Sequence, residues 1–116
     1  MKVSCTQENI ARSLSYLDRV VGKQSTLPIL SNFLIETEKG RLKISATNLE
    51  IGVVSWLPCK VIEEGEITVP AKILGSIVNN INSDKLNLET KKNNVLNIET
   101  ESYKADLKLS EEWSRF

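Results

Sequence analysis

The sequence predicts an α+β domain in which two amphipathic helices pack on antiparallel sheet. Three observations carry that prediction. Residues 8–22 and 70–81 repeat apolar side chains at helical spacing. Most of the remaining chain alternates apolar and polar residues with a period of two, interrupted by turn-forming residues. The two helical segments also occupy matching places in one plan, strand, helix and three strands, that runs twice, over about 1–61 and 62–110. The likeness between the halves is one of pattern, and the whole chain, 1–116, reads as one domain.

Residues 2–7 alternate Val3 and Cys5 against Lys2, Ser4 and Thr6, a short strand, after which Thr6 or a neighbour is placed to cap a helix. In the first helix Ile10, Leu14, Leu17 and Val21 fall on one face, and Gly22 closes it. Pro28 fixes the entry into a strand over 29–38 by holding Leu27 extended. Lys39-Gly40 is a turn, and residues 41–47 return as the second arm of a hairpin, with Leu42, Ile44 and Ala46 on one side. Residues 50–61 read as a third strand, with Pro58 marking an edge or a bulge. Residues 62–66 form a turn.

The plan then restarts. Residues 66–70 are a strand, and Pro70 suits the first turn of a helix, where its missing N–H costs nothing. Within that helix Ile73, Ile77 and Ile81 form one row with Leu74 and Val78 beside it, and Gly75 weakens it by about 1 kcal/mol relative to Ala. Three alternating strands follow over 83–90, 94–100 and 102–109. Leu86, Leu88, Val95 or Leu96, Ile98, Ala105, Leu107 and Leu109 supply their inward faces. Trp56 and Trp113 read as packing residues.

The totals exclude several classes of function. With 41% apolar and 26% charged residues this is an ordinary globular composition. No apolar run is long enough to span a membrane or to serve as a secretory signal, so the expected location is cytoplasmic. There is no histidine, which removes Ser-His-Asp and Cys-His catalysis. Two cysteines without histidine are too few soft ligands for zinc, so neither a metal nor a cofactor is expected. Cys5 and Cys59 read as two buried reduced thiols. A disulfide between them is open on sequence, with a cytoplasmic location against it.

The outer helix faces carry the remaining signal. Arg12, Tyr16, Arg19 and Lys23 form one stripe, and the second helix presents Lys72, Ser76, Asn79 and Asn80 with no acid. Residues 8–23 and 70–81 hold four of the fifteen basic residues and two of the fifteen acidic ones, in a chain of net charge zero. That polarity fits solvated helix surfaces, and it also fits a surface that meets phosphates through few charges.

Three segments, TLPIL at 26–30, ATNLEIGV at 46–53 and TVPAKIL at 68–74, resemble the N-terminal domain of the bacterial DNA polymerase III beta subunit, the sliding-clamp family. Their order and spacing fit over essentially the whole chain. The resemblance implies the DNA-clamp fold, two β-α-β-β-β repeats. It implies a subunit of three such domains, of which the second and third are absent here. Two subunits would close head to tail into a homodimeric ring that encircles duplex DNA without reading its sequence and tethers DNA polymerase III. No catalytic residue and no membrane partner is implied, and polymerase and clamp loader would bind through the missing domains.

By the same resemblance the DNA-facing residues are Arg12, Arg19, Lys23, Gln24 and Lys72. Many relatives carry an arginine just before TLPIL, where this chain has Gln24; TDLE in relatives is Thr47-Asn48-Leu49-Glu50 here. The subunit interface is expected from the second helix, at Lys72, Ile73 and Ser76, and from the last strand, at Tyr103, Lys104, Ala105, Asp106, Leu107 and Lys108. Such an edge strand can extend its sheet onto a partner. The alternative is a DNA-independent α+β interaction module that uses the same edge. A small enzyme has little to build on, since the chain lacks a phosphate-cradling glycine loop as well as histidine.

Overall fold

The computed structural model describes residues 1–21, 32–47, 52–92 and 94–109. Pro28 and TLPIL, Lys23, Gln24, Asn48 and Trp113 lie outside these. The elements run β1 (Lys2–Thr6), α1 (Gln7–Val21), β2 (Asn32–Glu38), β3 (Arg41–Thr47), β4 (Gly52–Pro58), β5 (Lys60–Glu63), β6 (Glu66–Pro70), α2 (Ala71–Asn79), β7 (Lys85–Lys91), β8 (Val95–Glu99) and β9 (Lys104–Lys108).

The described strands form two sheets, both antiparallel, as the fold class leads one to expect. One has the order β5-β1-β7-β8-β9 and the other β4-β3-β2-β6. The expected strand over 50–61 is broken at Cys59. Up to Pro58 it pairs with β3, and from Lys60 onward it pairs with β1 in the other sheet. Ile62 and Glu63 therefore belong to β5, and only Glu64-Gly65 is left for the turn. A side chain at Gly65 would crowd the chain start, because a Cβ there would stand 3.0 Å from both the Met1 backbone nitrogen and its Cβ. Gly40 takes φ +70°, which glycine adopts without strain, at the β2–β3 turn.

Alternation places the core as expected on most strands. Phe33, Ile35, Leu42, Ile44, Leu57 and Val69 point inward from one sheet, and Val3, Leu86, Leu88, Leu96 and Ile98 from the other. Of the β8 alternatives Leu96 is the buried one, and Val95 is half-buried. Ile10, Leu14 and Leu17 of α1 and Ala71, Leu74 and Val78 of α2 complete the cluster. At roughly 1.5–3 kcal/mol for each large apolar side chain, this burial is the main force holding the layers together.

Helix ends are secured locally. Thr6 caps α1, its Oγ1 accepting from the Asn9 N–H at 3.2 Å. The Gln7 Nε2 donates at 2.9 Å to the Val78 carbonyl, which also accepts from the Ile81 N–H at 3.2 Å, so the start of α1 is tied to the end of α2. The second helix is shorter than the pattern suggests and stops at Asn79. Ile81 lies beyond it yet is buried, while Ile73 is 44% exposed. The buried row of α2 is thus Ala71, Leu74 and Val78 rather than the isoleucines.

Candidate nucleic-acid interface and free sheet edges

α1 and α2 lie against each other and share a shallow groove. Leu14, Ser15 and Asp18 form one wall, and Ala71, Lys72, Gly75, Ser76 and Asn79 form the other. Burial of Ile10, Leu14 and Leu17 turns Glu8, Arg12, Ser15, Tyr16, Asp18 and Arg19 outward. On α2, Lys72, Ile73, Ser76 and Asn79 are exposed. The structure therefore brings Arg12, Arg19 and Lys72 onto the outer surface of one two-helix layer, with Arg12 and Arg19 on the flank toward β4.

The field of this surface is weaker than the cation count suggests. Arg12 Nη2 is bound by Glu8 Oε1 at 2.9 Å, one turn away, and both side chains stand mostly in water. Such a pair contributes only a few tenths of a kcal/mol to the helix, and it offsets the charge of one of the stripe's cations. Asp18 sits across the groove from Lys72. Small polar side chains, Ser15, Ser76 and Asn79, fill the space between.

The last strand is an edge, pairing only with β8 among the described residues. Its hydrogen-bond parity can be read from the ladder ends. The Thr100 N–H donates to the Tyr103 carbonyl at 2.8 Å, and the Leu109 N–H to the Asn94 carbonyl at 2.7 Å. Antiparallel pairs alternate between bonded and non-bonded. Ala105 and Leu107 therefore turn their backbone groups toward Ile98 and Leu96. Lys104, Asp106 and Lys108 turn theirs outward, where they are free to pair.

Side chains sort the same way. Lys104, Asp106 and Lys108 are exposed, as is Tyr103, whereas Ala105 and Leu107 are half-buried against the sheet. Of the residues expected at the interface, these two therefore offer neither an outward backbone group nor an exposed side chain. The buried Asn97 Nδ2 donates to Asp106 Oδ1 at 2.8 Å and to the Ala105 carbonyl at 3.4 Å, which satisfies its amide and ties β8 to the edge strand.

A second edge was not anticipated as a site. Among the described residues β4 pairs on one side only, with β3. Trp56 was expected to be a packing residue, but it is 48% exposed, with the Arg41 guanidinium 5.2 Å from its ring centroid. Val54 is exposed beside it, and Tyr16 is half-exposed on the neighbouring helix. The signal was present: with Leu57 inward, alternation sends Trp56 outward, and Pro58 marks an edge. Ser13, nearly buried in α1, shares a 3.0 Å hydrogen bond with Ser55 and fixes the helix against this strand.

Among the described residues no cluster of three potential metal ligands occurs, and no helix is long and apolar enough to cross a membrane.

Comparison with known proteins agrees with this architecture. The curated Beta sliding clamp of Synechocystis is 36% identical over 83 residues, covering 70% of this chain and 21% of that protein. The crystal structure of the Caulobacter crescentus DNA polymerase sliding clamp superposes with TM-score 0.83 at 28% identity, covering 93% of this chain and 30% of that one. The Helicobacter pylori beta clamp bound to a DNA ligase peptide superposes with TM-score 0.86 at 25% identity, covering 97% and 31%. The chain thus spans about a fifth of the length of the curated relatives it matches. Residues 1–112 match the family model described as DNA polymerase III beta subunit, N-terminal domain, and this chain belongs to that family.

Proposed function

We propose that this chain is the first domain of a replication clamp. In this reading the ring is built from two copies of a longer subunit whose second and third domains lie outside this sequence. The ring is non-catalytic. It encircles duplex DNA, slides along it and tethers DNA polymerase III. The observation that carries the reading is the helix layer: two adjacent amphipathic helices with few, partly neutralised cations among small polar groups, backed by sheets with free edges among the described residues. Arg12, Arg19 and Lys72 face the DNA; the family resemblance adds Lys23 and Gln24, which lie outside the described residues.

A surface that slides must attract phosphate without holding it. Three phosphate contacts would lower affinity only about 40-fold between 50 and 200 mM salt, against about 10³–10⁵ for gripping proteins with six to ten. Contacts this few give no sequence readout and allow fast movement between equivalent sites. Retention must then come from topology.

The edge residues suit ring closure. The outward backbone groups of Lys104, Asp106 and Lys108 can extend the sheet onto a second copy, with Tyr103 beside them and Lys72, Ile73 and Ser76 contributing from the second helix. The β4 edge with Trp56 suits contact with the next domain of the same subunit.

The test uses the full-length parent protein, loaded by its clamp loader onto nicked circular DNA. Bound protein is counted before and after one double-strand cut. Loss on linearisation is expected. Equal retention on circle and line would mean direct binding and would end the clamp reading.

A further inference from the structure

We propose that Cys5 and Cys59 form an oxidative modification site, a reversible disulfide that fastens the β4-to-β5 crossover to β1. The pairing follows from register. Val3 opposes Val61 and Ser4 opposes Lys60, so the next step along the same ladder sets Cys5 against Cys59.

Two independent hydrogen-bond patterns fix the kind of pair. The Cys59 N–H donates to the Gly40 carbonyl at 3.2 Å, so this residue turns its backbone toward β3 and away from β1. On β1, the Thr90 N–H donates to the Met1 carbonyl and the Gln7 N–H to the Asp84 carbonyl. By alternation Cys5, an even number of residues from both Met1 and Gln7, turns its backbone toward Leu86 of β7 and away from β5. The two cysteines therefore oppose each other as a non-hydrogen-bonded pair. That is the arrangement in which antiparallel Cα atoms come within about 4.5 Å and side chains stand closest. Disulfides need Cα separations of roughly 4.4–6.8 Å.

The surroundings agree. Cys5 belongs to the core and Cys59 packs against it, and both line one surface depression with Thr6, Asn9, Pro58 and Lys85. Cys59 is the more exposed thiol. The two are close enough that charge on Cys59 raises the pKa of Cys5, in addition to the larger effect of burial. Because burial raises both thiols, exchange is slow.

The chemistry balances with a low-molecular-weight disulfide as oxidant. The Cys59 thiolate attacks one sulfur of that disulfide, whose S–S bond breaks, and one small thiolate leaves. The Cys5 thiolate then attacks the Cys59 sulfur of the mixed disulfide, and the second small thiolate leaves. The protein has lost two electrons and two protons, and the reagent has become two thiols. The product closes a loop with 53 residues between the cysteines and joins β1 to the point where the chain leaves one sheet for the other.

The intact folded chain, treated with excess glutathione disulfide in native buffer, tests this. Expected is a Cys5–Cys59 linked peptide on digestion without reduction, both thiols disappearing together, and a Tm raised by about 5–15 °C that dithiothreitol reverses. Cys59→Ser, with its small and half-buried replacement, should fold and show no such rise. A stable glutathione adduct at Cys59 beside a free Cys5 would overturn the proposal. So would linkage that forms only in denaturant, or a linked chain that melts lower than the reduced one.

Discussion

Replacing Lys104 by proline should leave the domain's stability almost unchanged, whereas replacing its neighbour Ala105 should damage it severely. The two positions are adjacent on the same edge strand; the backbone N–H points outward at Lys104 and into the ladder at Ala105, which is also half-buried. Ala105 opposes Ile98, in the bonded phase set by the Thr100–Tyr103 and Asn94–Leu109 contacts. Proline there removes one ladder hydrogen bond, worth about 1 kcal/mol, and leaves the carbonyl of fully buried Ile98 without its donor, at about 1–3 kcal/mol more. The sum, about 2–4 kcal/mol, is a large part of the roughly 5–15 kcal/mol that a domain of this kind has in total. At Lys104 the N–H faces solvent and the side chain is exposed, so the expected change is within about 0.5 kcal/mol. Urea unfolding followed by circular dichroism reads the difference. With an m-value of about 1.5 kcal/mol/M, the Ala105→Pro midpoint falls by roughly 1–3 M and the Lys104→Pro midpoint hardly moves. Equal losses at both positions would refute the assigned parity, and with it the outward backbone on which edge pairing depends.

Gly75→Ala should stabilise the domain by about 1 kcal/mol, because α2 gains helix propensity and the added methyl meets no atom within 4 Å; a lower melting temperature would show that the groove between the helices is tighter than it is drawn. Cys5 should make stability fall in alkali. Its pKa is pushed up from the ordinary value of 9.0 to about 12, chiefly by burial. Above pH 9 the unfolded chain therefore releases a proton that the folded chain keeps, so the contribution is full below pH 9 and is lost as pH rises toward 12. Comparing unfolding midpoints of the parent and Cys5→Ala across that range isolates the effect, and parallel pH curves would contradict it.

Much of the fold is legible in the sequence because most of it is a matter of period. Ile10, Leu14 and Leu17 can only share a face if the segment is helical, and Leu86, Leu88 and Ile98 can only share one if theirs is extended. Thr6 as a helix cap and Gly40 in a turn are equally local, since each depends on a few neighbouring backbone angles. The second helix was harder. Its two apolar rows satisfy the same period, and which one is buried depended on where the helix meets β6 and α1. The exposed Trp56 was misjudged because an aromatic residue in a strand suggests core, although its own parity with Leu57 pointed outward.

The candidate site was legible as residues and not as a surface. Arg12, Arg19 and Lys72 are identifiable from helical spacing, but the neutralising hold of Glu8 on Arg12 is a rotamer choice that spacing permits without requiring.

By itself, then, the sequence determined the period of each segment and, on the first helix and most strands, which residues face inward, because period is a property of a single element; which row of the second helix is buried was left to the contacts it makes. Tertiary structure alone decided partnership: that the chain changes sheets at Cys59, that Cys59 meets Cys5, and that Lys104, Asp106 and Lys108 rather than their neighbours hold the free hydrogen bonds. Pairing and register are relations between segments far apart in the chain, and no local pattern specifies the partner until the core has closed around it.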